Sequence, residues 1–168
     1  SEGGAVDVGF DIYNYLKSLN KPVEVVGSGR VMSIATVIFM AGEKRILKEG
    51  TQFMIHLPWG GIDGTAEEIE AYSKEVKSVE DKLIKFYTEV TATTKEAVFP
   101  LLRNETYLTS EQALDLGFTT AQYIPVAARV YFNSNIDKSM TNLKEEDKSW
   151  LEDQFNKIAN AFKPKKEG

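Results

Sequence analysis

Two side chains in this sequence are of types that do nucleophilic chemistry together: Ser33 and His56. Ser33 lies in "SGRVMSIATVIFMAG" (residues 28–42), at the start of an apolar run of helical character, and His56 lies in "FMIHLP" (residues 53–58), at the end of a run of strand character. A serine hydroxyl is a weak nucleophile at neutral pH. It needs a base to take its proton, an acid behind that base, and N–H donors for the oxyanion that develops on an acyl substrate. The chain has one histidine, so the base is nominated without a competitor. Each residue also has an ordinary reading. A serine opening a helix is commonly a cap, and a histidine on an apolar strand is commonly a satisfied, half-buried polar group.

Composition narrows the chemistry around that pair. The absence of cysteine removes a disulfide framework, a thiol nucleophile and cysteine-based zinc sites, and a lone histidine removes His-rich metal sites. A net charge of −5 argues against non-specific nucleic-acid binding. The most apolar window, residues 31–42, is shorter than the roughly 20 residues that span a bilayer. No signal peptide is visible, so the expectation is a soluble, cytoplasmic protein. At 168 residues the chain has single-domain length, enough to bury roughly two-thirds of its unfolded surface. It opens with "SEGG" and no initiator methionine, which reads as a fragment or a processed product.

Alternating strands and helices must position Ser33 and His56. Val8, Ile12, Tyr15, Leu16 and Leu19 recur at helical spacing up to the break at Lys21-Pro22. "VEVVGSG" then reads as a strand, and Ser33 begins a helix that stops at Gly42. "KRILKEG" and "TQFMIHLP" read as two further strands. After the glycine-rich "WGGIDG" comes a long helix from Thr65 to Thr91, striped by Ile69, Tyr72, Val76, Val79, Leu83, Phe86 and Val90. Thr65 and Glu68 fit a capping box at its start. "TKEAVFPLL" and "TYLTSEQALDLGF" hold two more helices, the second capped by Thr109 or Ser110 and stopped at Gly117, and "YIPVAARVYF" reads as a closing strand. The pattern is that of an α/β protein.

Four segments, in order, resemble the Clp protease proteolytic subunit family over residues 1 to about 125. "SEGGAVDVGFDIYNYL" is similar to its "SPGG…G…IYD" segment, and "VVGSGRVMSIATVIFMAGEKR" to its nucleophile segment "VGxAASMGAxLLAAG". "TQFMIHLPWGGIDGTAEEIE" is similar to "xxxMIHQPxGGxxGxAxDIE", and "ETYLTSEQALDLGF" to "DxFxSAxEAxEYGLID". The resemblance implies a ClpP/crotonase-like fold of stacked β-α-β units with a long handle helix (65–91); the appended C-terminal amphipathic helix, read from its own apolar spacing, departs from the family. Residues 1–133 would be the protease domain, without the strands that precede "SPGG" in the family. Residues 134–168 would be a linker, a helix over 142–162 striped by Leu151, Phe155, Ile158 and Phe162, and a basic tail.

By the same resemblance Ser33 falls on the nucleophile and His56 on the general base. Backbone N–H groups of Gly3 and Ile34 form the oxyanion hole, and Gly60 and Gly61 pair with an extended substrate. Glu105 falls where the family has its aspartate, with Asn104 as its neighbour. The "ET-aromatic-LT-x-EA" variant looks more like phage and prophage enzymes that mature capsids than like the housekeeping subunit. The implied protein is a serine endopeptidase needing no metal or organic cofactor, acting on polypeptide as a homo-oligomer, with two stacked rings of seven as the family arrangement. An AAA+ unfoldase or a capsid or scaffold protein is the implied partner, and neither membrane nor nucleic acid is. Two other classes compete: a ring or shell component whose triad has degraded, and an acyl-CoA enzyme of the crotonase fold, which does not rely on a Ser-His pair.

Overall fold

A computed structural model describes residues 1–123. The readings of residues 134–168, and nearly all of the closing strand, lie outside the described residues. The elements run α1 (Val6–Ser18), β1 (Glu24–Gly27), β2 (Arg30–Met32), α2 (Ile34–Phe39), β3 (Lys44–Leu47), β4 (Gln52–Ile55), α3 (Ala66–Thr91), α4 (Lys95–Arg103), β5 (Thr106–Leu108) and α5 (Ser110–Asp115).

The strands form two small sheets. β1 pairs with β3 in parallel, while β2 pairs with β4 in parallel and β4 with β5 antiparallel. A parallel pair needs a crossover, and α2 with β3 supplies it between β2 and β4. The register sets Met32 opposite Met54. The residues that follow these two strands therefore leave the sheet side by side, at the carboxyl ends where open α/β sheets display their ligand sites.

Two strands and one packing face depart from the sequence reading. β2 and β5 are three residues each, too short to register as alternation. On α1 the regular stripe Val8, Ile12, Tyr15 and Leu19 is exposed, and the helix packs through Gly9 and Phe10 with Val6 and Tyr13 beside them. Gly9 decides this. A Cβ there would fall 2.1 Å from Ile34 Cγ1, so only glycine lets α1 lie directly on α2. Phe10 and Tyr13 then meet Phe86 edge-on, with centroids 5.3 and 5.0 Å apart.

α3 starts where expected, at a complete Thr65–Glu68 capping box. Of its expected stripe only Leu83 and Phe86 are buried, joined by Ile84 and Tyr87 from outside it, and Ile69 near its start is exposed. The core joins those residues to Val37 and Phe39 of α2, Phe53 and Ile55 of β4, Val98 and Leu102 of α4, and Phe118. Arg45 ties the end of the unit to β3, its guanidinium donating to the carbonyls of Phe118 at 2.8 Å and Gly117 at 3.0 Å. Among the described residues no helix is long and apolar enough to cross a membrane.

Candidate active site

Ser33 occupies the single residue between β2 and α2, with φ 56° and ψ −131°. That conformation is natural for glycine and strained for any residue with a Cβ. Its N–H donates to the Met54 carbonyl at 2.9 Å, which ties the turn to the end of β4. The Ser33 side chain does not cap α2. Its Oγ lies 2.8 Å from Nε2 of His56, the first residue after β4, so the hydroxyl that would have capped a helix is turned to the imidazole. The ordinary reading of Ser33 as a cap is thus excluded by where its oxygen points. A serine on a strained strand-to-helix turn, with its oxygen raised from the end of a sheet, is the geometry of a nucleophile elbow.

The other residues singled out from the sequence divide. Glu105 lines the same cleft as Ser33 and His56, a depression of about 350 Å³ that also includes Glu2, Gly4, Met54, Pro58 and Trp59. It sits just before β5 with φ 47°, in the left-handed region. Among the described residues no hydrogen bond joins its carboxylate to His56; the bond observed for the imidazole is the one to Ser33. Asn104 ends α4 as its C-cap, its N–H donating to the carbonyls of Pro100 and Leu102.

Gly3 has φ 111°, and a Cβ there would fall 2.6 Å from Ser33 Cβ. Glycine is required at this approach. The Gly3 N–H donates to Ser1 Oγ at 3.2 Å, while the segment around it is held along β2 by the Met32 N–H on the Ser1 carbonyl at 3.1 Å and by the Arg30–Glu2 ion pair. Ile34 opens α2, so its N–H has no intrahelical acceptor. Gly60 and Gly61 lie beyond the cleft, in an irregular segment facing Ile69 and Tyr72, and pair with no strand among the described residues. Among the described residues no group of three or more His, Asp and Glu is placed to hold a metal ion.

Sequence reasoning missed two neighbours of the pair. Trp59 is 85% exposed on the wall of the cleft; an aromatic inside the glycine-rich "WGGIDG" was the available signal. Met54 contributes through its carbonyl, which no side-chain pattern reveals.

Fold and site together define an α/β protein with a serine–histidine pair at the carboxyl ends of two parallel strands. The chain belongs to the Clp protease family, whose profile matches residues 1–121. It is 32% identical over 119 residues to the ATP-dependent Clp protease proteolytic subunit 2 of Treponema denticola, covering 70% of this chain and 60% of that protein. It is equally 32% identical over 119 residues to proteolytic subunit 2 of Pseudomonas aeruginosa, covering 70% of this chain and 59% of that one. The chain therefore spans about 60% of the length of these relatives. A ClpP1 mutant from Listeria monocytogenes superposes with a TM-score of 0.67 at 28% identity, over 76% of this chain and 72% of that one. The fold is ClpP-like.

Proposed function

We propose that this chain is the serine-peptidase subunit of a Clp-type oligomer. The observation that carries the reading is the 2.8 Å contact between Ser33 Oγ and His56 Nε2, made by a serine held in a strained turn. In this reading Ser33 Oγ attacks the peptide carbonyl carbon while its proton passes to Nε2. The carbonyl oxygen, now an anion, is held by the N–H groups of Ile34 and Gly3. Collapse breaks the C–N bond, Nε2 returns the proton to the leaving amine, and water releases the acyl group by the same steps. Glu105 is the acid that favours the imidazolium, and Gly60 and Gly61 receive extended substrate by main-chain pairing. The assembly is a homo-oligomeric ring, with an unfoldase or a capsid-type protein as partner. A phage-type processing role rests on the "ETYLTSEQA" segment alone.

Labelling by a fluorophosphonate, read by intact mass, tests the chemistry. One adduct on the parent and none on Ser33→Ala is the expected result. A second reading, a structural ring component with a degraded triad, is favoured by the missing Glu105–His56 hydrogen bond and by the Gly3 N–H already engaged with Ser1. An oligomeric parent that takes no label would establish that second reading.

A further inference from the structure

The peptide between Ser33 and Ile34 is held from one side by two buried hydroxyls. Thr36 Oγ1 lies 2.6 Å from the Ser33 carbonyl oxygen and 2.6 Å from the Tyr87 hydroxyl. Both residues are buried, Thr36 completely. The direction of the chain is forced by donor count. A carbonyl only accepts, so the one Thr36 proton goes to Ser33, and the Tyr87 O–H must donate to Thr36. Burial pushes the Tyr87 hydroxyl far above the usual phenol range, against the pull of its bond to Thr36, so it stays a donor.

The peptide unit is planar and trans, so the Ser33 carbonyl and the Ile34 N–H point in opposite directions from one rigid plane. Thr36 N–H adds a second bond to the same carbonyl at 3.0 Å. We propose that Tyr87 and Thr36 are positioning residues whose hydroxyl relay sets the Ser33–Ile34 peptide plane and so aims the Ile34 N–H at the oxyanion of the substrate. The inference rests on the serine-peptidase reading. Tyr87 belongs to α3, so the long helix is hydrogen-bonded to the relay through a phenol oxygen, and among the described residues it touches neither Ser33 Oγ nor His56 by hydrogen bond.

The test is the rate of fluorophosphonate labelling of the full chain, measured well below the thermal midpoint of each variant. Tyr87→Phe keeps the ring and its packing and removes the donor; Thr36→Val keeps the shape and removes the relay atom. Each is expected to slow labelling about tenfold or more, short of the 10²–10³-fold cost of deleting an oxyanion donor. Thr36→Ser is expected to recover most of the rate lost in Thr36→Val, and the double variant to be no slower than the worse single one, because the hydroxyls act in series. A purely structural role predicts lowered thermal midpoints with the parental labelling rate, and that result overturns the inference, as do multiplied losses in the double variant. If Tyr87→Phe does not fold, Thr36→Val against Thr36→Ser decides by the same criterion. A parent that takes no label overturns the peptidase reading and this inference with it, whereas a labelled parent with an equally reactive Tyr87→Phe overturns this inference alone.

Discussion

At the scale of residues, the site is uneven. The hydrogen bond between Ser33 and His56 is formed, and none joins His56 to Glu105. On the proposed reading, removing His56 should therefore cost more than removing Glu105. His56→Ala is expected to slow fluorophosphonate labelling by about 10²–10⁴-fold, the range supplied by a positioned general base. Glu105→Gln is expected to slow it about tenfold or less, because an exposed carboxylate without a hydrogen bond acts on the imidazole only through screened charge. Equal losses in the two variants would mean that Glu105 closes onto His56 in solution.

Two contacts carry the argument at the scale of elements. The first is the crossing of α1 on α2, which exists because position 9 has no side chain. Gly9→Ala would drive a methyl group into Ile34, whose N–H is the second oxyanion donor in the proposed reading. The expected outcome is a loss of about 1–3 kcal/mol in urea-unfolding stability, the usual range for overpacking a filled contact, with slower labelling of Ser33. The second is the start of α3. The Glu68 carboxyl accepts from the Thr65 N–H at 2.7 Å, and that bond, with the Thr65 side chain, holds its pKa below the ordinary carboxylate value of 4.5. A depressed pKa means the folded state prefers the ionised form. The capping contribution is whole above the ordinary value and is lost as pH falls through the depressed one. Amide exchange in residues 66–69 should accelerate on acidification below about pH 4 relative to residues 83–87, beyond the intrinsic pH effect, and Glu68→Gln should flatten that difference.

At the scale of the whole molecule, most of the large apolar side chains exposed among the described residues fall into two groups. Val8, Ile12, Tyr15 and Leu19 form one exposed stripe on α1, and Trp59, Ile62 and Ile69 lie in and after the glycine-rich segment. On the proposed reading, stripes of this kind among the described residues are expected to be covered by copies of the same chain. Sedimentation velocity should show an oligomer, and Ile12→Glu with Tyr15→Glu should reduce its size while leaving the far-ultraviolet circular dichroism unchanged. A parental monomer at micromolar concentration would contradict the ring proposal.

Much of the order of the elements, and the two side chains that meet at the site, were legible in the chain itself. A capping box, a lone histidine and glycine stops are local chemistry, so Thr65, His56 and Gly117 announced themselves without a fold. What the linear chain did not carry is whatever depends on approach between distant segments. The conspicuous stripe of α1 faces out because a glycine, invisible to a count of apolar residues, makes the closer contact with α2. β2 and β5 exist only as partners of β4, since three residues have no period of their own. Tyr87 lies off the apolar stripe of its helix and carries no signal in the sequence; only folding sets its hydroxyl beside Thr36. Ser33 is the sharpest case. A serine before a helix reads as a cap, and only the parallel pairing of β2 with β4, which sets Met32 opposite Met54, turns its oxygen from the helix to the histidine.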